Sequence, residues 1–364
     1  MLQNILIAYG LDPQYYQTRP FGSGLINHTW KVTGGDQQFI LQRINKKVFK
    51  SPLDIAENLH TISVYLSENS PAYVFAAPLP AVDGRLLIES EGEYFRLSPF
   101  ISNSHTVDFL TQSSQAYEAA RQFGKFTFLL RGMDTARLKY PLADFHNLTL
   151  RISQFENALV KADKEKIRQG ATEIKMAEYD SAIGNVYDDL VNGKRIPLRV
   201  IHHDTKINNV LFDEEGKGLA VIDLDTVMPG YFISDVGDMM RTYLSEANEE
   251  ETDLNKIKVR ENFFAAIYAG YMEQMGSVLT NDEKNLFIYA GKFMIYMQAI
   301  RFLTDFLNGD VYYPVKYPLH NLERAKNQFR LLESYVAAEP KFANIISQFQ
   351  NPAAPQHARP VNLL

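Results

Sequence analysis

The chain has 364 residues, of which 46% are hydrophobic, 22% charged and 12% aromatic, and its formal net charge is −6. That length and balance predict a folded protein with room for two lobes sharing a cleft, and they exclude a disordered chain. The absence of cysteine excludes disulfides, thiolate metal sites and a cysteine nucleophile, and an acidic balance without a basic block argues against a nucleic-acid partner.

Met1 to Leu11 is apolar but lacks the basic region and small-residue cleavage site of a secretory signal, so a cytoplasmic location is expected. The next hundred residues show short β-type runs at Trp30–Thr33, Phe39–Ile44, Arg85–Glu89 and Tyr94–Pro99. Gly22, Gly24, Gly34, Gly35, Gly84 and Gly92 punctuate them, which suggests an antiparallel sheet. One helix interrupts the sheet: Ile55, Leu59, Ile62 and Leu66 recur at helical spacing, with Ser51 as an N-cap candidate and Pro52 at the first helical position. Leu97–Ile101 leaves the last β-run and meets the helical part, where it is either a hinge or a plain linker.

From Val107 the pattern turns helical, over roughly 107–131, 148–161, 171–192, 254–275, 281–307 and 318–338. The stretch Leu286–Leu303 is broken by Lys292, Gln298 and Arg301, so it reads as a buried helix and no membrane association is expected. Between the helices, Leu198–Ile201, Val210–Phe212 and Leu219–Asp223 read as short strands around the polar loop His202–Asn209.

That loop carries the chemistry. His202-x-Asp204 is followed by Asn209, and Asp223 arrives with the run Val221-Ile-Asp-Leu-Asp225. Phosphoryl transfer needs a carboxylate beside the attacking hydroxyl and hard oxygen ligands for Mg²⁺, and Asp204, Asn209 and Asp223 are those groups. Residues two apart on a strand face the same way, so Asp225 can join Asp223 in the cleft, or it can anchor the following turn. Asp235 and Asp238 precede and open a helical segment, where capping accounts for them. The loop Gly22-Ser23-Gly24 can bring backbone N–H groups to nucleotide phosphates, or serve as an ordinary hairpin turn. His28, His60, His105, His146 and His320 lack the spacing of a metal site.

The pattern H-x-D-x(4)-N followed by I-D-x-D resembles the phosphotransferase family of aminoglycoside and choline kinases. Phe21-Gly-Ser-Gly-Leu-Ile-Asn27, Phe39-Ile-Leu-Gln-Arg-Ile-Asn45, His203-Asp-Thr-Lys-Ile-Asn-Asn209, Ile222-Asp-Leu-Asp-Thr-Val-Met-Pro-Gly230, Arg301-Phe-Leu-Thr-Asp-Phe306 and Lys316-Tyr-Pro-Leu-His-Asn-Leu322 are similar to one branch, the N-acetylhexosamine 1-kinases. The resemblance implies an α+β, protein-kinase-like fold of two lobes. Residues 1–101 would form an N-terminal nucleotide-binding lobe of antiparallel sheet and helix, and 102–364 a larger, mainly helical lobe. It implies ATP and Mg²⁺ as cofactors and an amino sugar as small-molecule partner, with a monomer expected. Asp204 would be the catalytic base, Asn209 and Asp223 the metal ligands, and His202 a brace for the loop. Gln42 stands where many relatives carry a phosphate-binding lysine, with Arg43 on the other strand face. Glu57 and Asn58 both compete for the position of a partner glutamate, with a plain solvated side chain as the alternative for either, so no ion pair is expected there. The backbone from Pro99 to Ile101 would bind adenine.

For the acceptor, the segment Arg301 to Tyr317 offers both a charged group and aromatic rings, as a pyranose requires. Asp225, Arg301 and Tyr312 are the acceptor-side candidates. Arg301 has the alternatives of a snorkelling side chain or a salt bridge to Asp305 or Asp310, and Tyr312 that of ordinary loop packing.

Overall fold

The computed structural model describes residues 1–22 and 26–350. Helix α1 (Leu2–Ala8) precedes strands β1 (Gln17–Pro20), β2 (His28–Gly34) and β3 (Gln37–Ile44). Helix α2 (Pro52–Asn69) follows, then β4 (Ile88–Ser90) and β5 (Glu93–Pro99). The five strands form one antiparallel sheet in the order β1-β2-β3-β5-β4. Alternation divides its faces: Val32, Leu41, Phe95 and Leu97 pack with Ile5 and Leu6 of α1 on one side. Residues one step out of phase, Gln42 and Arg96 among them, face α2 and the rest of the chain. Pro52 takes the first position of α2, where its missing N–H costs nothing, whereas the Ser51 side chain makes no capping bond.

The remainder is mainly helical. Helices α3 (Ser113–Leu129), α4 (Leu148–Lys161), α5 (Lys164–Gln169), α6 (Ala171–Tyr179) and α7 (Ala182–Asn192) lead to strand β6 (Arg199–Ile201). Then come β7 (Val210–Phe212), β8 (Gly218–Val221), β9 (Met228–Gly230), α8 (Phe232–Tyr243), α9 (Glu261–Met275), α10 (Asn281–Asn285), α11 (Phe287–Leu307) and α12 (His320–Gln350). Helix α11 is the spine: Phe293, Ile295, Met297, Ile300 and Leu303 are fully buried, and it packs on α4, α8 and α12. Among the described residues no helix is long and apolar enough to cross a membrane.

Several expected boundaries move. The segment 171–192 breaks at Asp180 and Ser181 into α6 and α7, and 254–275 resolves into a 3₁₀ turn at Leu254–Lys256 followed by α9. The first long helix starts at Ser113 rather than near 107, where the Gln115 side chain turns back to accept the Thr111 and Gln112 N–H groups. Helix α12 continues to Gln350 through Pro340, and the run Arg85–Glu89 pairs only from Ile88. Leu219–Asp223 stops pairing at Val221, which changes the geometry of Asp223.

Candidate active site

The loop after β6 is held from behind by helix α8. Asp235 accepts the backbone N–H groups of His202 (3.0 Å) and His203 (2.7 Å), and Asp238 accepts that of Thr205 (2.9 Å). The Tyr243 hydroxyl donates to the Thr205 carbonyl, so one buried helix face fixes the backbone of His202, His203 and Thr205. This corrects the expectation that Asp235 and Asp238 are helix caps. Both lie inside α8, three residues apart and therefore on one face, and their carboxylates serve the loop. His203 takes φ +67°, a left-handed conformation that this bracing sustains, and Gly230 leaves space for its ring: a Cβ there would lie 2.5 Å from Cε1.

His202 ties the two halves of the site. Its Nε2 donates to the Ile222 carbonyl (2.9 Å), and Nδ1 accepts the Asp204 N–H (3.3 Å). Burial keeps the ring neutral by lowering its pKa, as this single-proton arrangement requires. Asp204 is thereby presented on a rigid frame. Asn209 donates its amide to the main-chain carbonyl (2.9 Å) and to a carboxylate oxygen (3.1 Å) of Asp204. Lys206, which sequence reasoning passed over, places Nζ 3.1 Å from the other carboxylate oxygen. Burial pushes the Asp204 carboxyl up, but the Lys206 ammonium, with the Asn209 amide donating to the carboxylate, outweighs it and holds the group below its ordinary value. Asp204 is therefore an ionised acceptor at neutral pH.

Asp223 follows β8 in a left-handed conformation, φ +58° and ψ +58°, and opens a 3₁₀ turn, Leu224–Thr226. Its side chain reaches solvent, and desolvation by the surrounding walls, then Asp225 and Asp204, raises its pKa. Asp225 does not share a strand face with it, because neither residue is on a strand. Instead Asp225 is 2% exposed and turned toward the sheet, where Arg96 of β5 and Asn27 (2.6 Å) donate to its two carboxylate oxygens. Its carboxylate is consumed by that tie, so the acceptor-side expectation for Asp225 is not what the geometry supports.

Gln42 is cross-strand partner to both Thr29 and Arg96. Its carbonyl oxygen accepts Arg96 Nε (2.9 Å) and Nη2 (2.8 Å), and its amide donates to Thr29. On α2, Glu57 is exposed, whereas Asn58 is 1% exposed and bonds the Lys139 backbone and the Val227 carbonyl. The position facing the site is Asn58, and its bonds are structural.

Gly22 has φ +78°, a conformation that favours glycine; Ser23 and Gly24 lie outside the described residues. Strand β5 ends at Pro99, and the Ile101 carbonyl accepts the Ser104 hydroxyl (2.6 Å), leaving a short exit from the sheet beside the Lys31 and Phe100 pair.

On the other side of Asp204, aromatic contacts lead away from the loop. His203 meets His146 at 5.3 Å between centroids, Phe145 stacks on His146 at 4.4 Å, and the Arg301 guanidinium lies 5.6 Å from the Phe145 ring. Arg301 opens onto a cavity of about 590 Å³ between α4 and the end of α11, shared with Arg151, Lys161, Tyr312 and Tyr313. No salt bridge joins it to Asp305 or Asp310: it donates to Gln298, and Asp305 is occupied by the N–H groups of Val311, Tyr312 and Tyr313. Tyr312 is 67% exposed, so it is not packed against the body; Tyr313 is the ring that packs, on Phe302.

Among the described residues no three His, Asp or Glu side chains form a ready-made metal cage. Mg²⁺ needs less than that, since it is usually held by one or two protein oxygens together with phosphates and water. The Asn209 amide group spends its N–H donors on Asp204, which leaves its carbonyl oxygen, and Asp223 has its charge raised in energy by burial and then by Asp225 and Asp204; both fit a hard cation.

A family model described as the phosphotransferase enzyme family matches residues 17–271, more than half of the chain. Three solved structures share the fold. A spectinomycin phosphotransferase in complex with ADP and spectinomycin is 14% identical, with TM-score 0.56, covering 93% of this chain and 97% of that one. A microcompartment-associated aminopropanol kinase is 15% identical, with TM-score 0.61 and the same coverage. A choline kinase from Cryptosporidium parvum Iowa II is 15% identical, with TM-score 0.55, covering 94% and 96%. The antiparallel sheet and the mainly helical remainder are thus those of a protein-kinase-like fold, and the chain belongs to the phosphotransferase enzyme family.

Proposed function

We propose that the protein is an ATP- and Mg²⁺-dependent kinase that phosphorylates the anomeric hydroxyl of an N-acetylhexosamine, GlcNAc or GalNAc. The observation that carries the phosphoryl-transfer part is the Asp204–Asn209 pair on its braced loop, with Asp204 kept ionised and Asp223, on the turn after β8, near enough to feel the Asp204 charge. Residues 1–101 would bind the nucleotide, with the loop at Gly22 to Gly24 over the phosphates and the backbone at Pro99 and Ile101 against adenine. When bound, Mg²⁺ would neutralise phosphate charge; Asn209 and Asp223 would hold it. Asp204 orients the acceptor hydroxyl and takes its proton as the oxygen attacks in line, and Lys206 keeps the carboxylate charged beforehand.

The acceptor assignment rests on the cavity. Its cations, Arg151, Lys161 and Arg301, face a space whose acidic member, Asp305, is already bonded to backbone. A cationic acceptor such as choline or an aminoglycoside is electrostatically disfavoured there, since such ligands need aromatic cages or free carboxylates. A neutral polyol suits it, with guanidinium donors for hydroxyls and Tyr312 for a flat sugar face. ADP release, measured across neutral sugars, choline, amino alcohols and aminoglycosides, tests the reading. Turnover confined to neutral amino sugars and abolished by chelating Mg²⁺ is expected; preference for a cationic acceptor would reject it.

A further inference from the structure

The sheet face that looks toward the site has no lysine on β3, where Ile40, Gln42 and Ile44 take the inward positions. By register, three cations of the neighbouring strands share that face: Arg19 on β1, Lys31 on β2 and Arg96 on β5. Arg19 is exposed on the edge strand. Lys31 is drawn toward the end of β5, with Nζ 3.7 Å from the Phe100 ring centroid. Arg96 alone of the three reaches the turn that carries Asp223, through its ion pair with Asp225.

The surroundings of Arg96 aim it. Gln42 accepts from Nε and Nη2 with one oxygen, and Asp225 accepts from Nη1, so both edges of the planar fork are gripped while the side chain is only 5% exposed. A guanidinium has five N–H donors and these bonds use three, which leaves two. Asn27, whose oxygen caps the Asn45 N–H, holds the far oxygen of Asp225 and so keeps the ion pair in one geometry. A lysine at position 42 would set a second cation against Arg96; a glutamine there instead serves as its acceptor.

We infer that Arg96 is the cation that contacts the donor nucleotide's phosphates, with Gln42 as its positioning residue, so that the phosphate-facing charge comes from β5 and not from β3. The inference rests on the kinase reading above. The remaining N–H donors of a water-shielded guanidinium form strong charge-assisted bonds to phosphate oxygens, and the contact lies two residues from the proposed metal ligand, where a diphosphate would bridge the two.

The test compares ADP with adenosine, titrated calorimetrically into the full chain with Mg²⁺ chelated so that protein contacts to phosphate are read alone. Wild-type protein is expected to bind ADP more tightly than adenosine; failure to bind either would refute the kinase reading itself. In Arg96→Met the ratio of adenosine to ADP dissociation constants should fall about 10- to 100-fold, the worth of a charged hydrogen bond, with adenosine affinity kept. An unchanged ratio overturns the inference, whether both affinities persist or both fall together, because Arg96 would then be only a tie between sheet and turn. Should the methionine variant not fold, Gln42→Ala provides the same comparison, with a several-fold fall in the ratio expected and an unchanged ratio again decisive against it.

Discussion

Asn209 donates to Asp204 twice, once at the main-chain carbonyl (2.9 Å) and once at the carboxylate (3.1 Å), so a candidate metal ligand and the candidate base are locked to each other. Asp204→Asn should therefore leave folding and nucleotide binding nearly intact while lowering kcat about 10²- to 10⁴-fold, the usual worth of a positioned general base. An unchanged turnover number in steady-state kinetics would remove Asp204 from the mechanism.

The brace behind the loop makes a separate prediction. Asp235→Ala leaves the His202 and His203 N–H groups without an acceptor in a buried setting, at about 1–3 kcal/mol each. Urea unfolding should show a loss of about 2–6 kcal/mol, together with a fall in kcat. A loss below about 0.5 kcal/mol, the size of an ordinary surface change, would mean that the loop holds its shape without α8.

Burial holds the pKa of His203 down at about 3 in the folded state, against 6.5 as the ordinary value. A histidine lowered in this way contributes stability that is intact above about pH 6.5 and is lost as pH falls toward 3, because the unfolded chain takes up a proton that the native one refuses. Asp235, pushed up to about 7 by burial, acts in the opposite sense, so the comparison must isolate His203. His203→Asn retains a residue tolerant of positive φ. Relative to wild type it should gain up to about 1.4 kcal/mol per pH unit below 6.5 in urea unfolding. A difference that stays constant from pH 7.5 to 5.5 would show that His203 titrates normally.

At the cavity, Arg301→Ala should raise the KM for the sugar about 10-fold or more and leave the KM for ATP within about twofold, as expected for loss of a charged donor to a bound hydroxyl. An equal rise in both constants would place Arg301 outside the acceptor site.

The candidate motif is legible in sequence because its parts are close together: His202, Asp204 and Asn209 fall within eight residues. What supports them is not legible. Asp235 reaches back 33 residues to the loop, and nothing in a local pattern separates that from a cap. Arg96 became visible only through the register that sets it opposite Gln42, and Asn27 only through its bond to Asp225 across 198 residues. A strand face shared by Asp223 and Asp225 requires continued pairing, yet β8 ends at Val221 and the left-handed Asp223 turns the chain. Helix α1 and strand β1, of seven and four residues, are too short for periodicity to register. The break between α6 and α7 falls at Asp180-Ser181, two residues that compete for backbone hydrogen bonds within an otherwise helical pattern.

The central claim is that Asp204 serves transfer to the anomeric oxygen of a neutral amino sugar. Phosphorus NMR of the product formed from ATP, Mg²⁺ and GlcNAc tests it most directly, run beside 1-O-methyl-GlcNAc, whose anomeric oxygen is blocked. A sugar 1-phosphate, coupled to the anomeric proton, is expected from GlcNAc and no phosphorylated product from the methyl glycoside. Phosphorylation of the blocked sugar at the wild-type GlcNAc rate would contradict it, because the attacking hydroxyl would then be a different one.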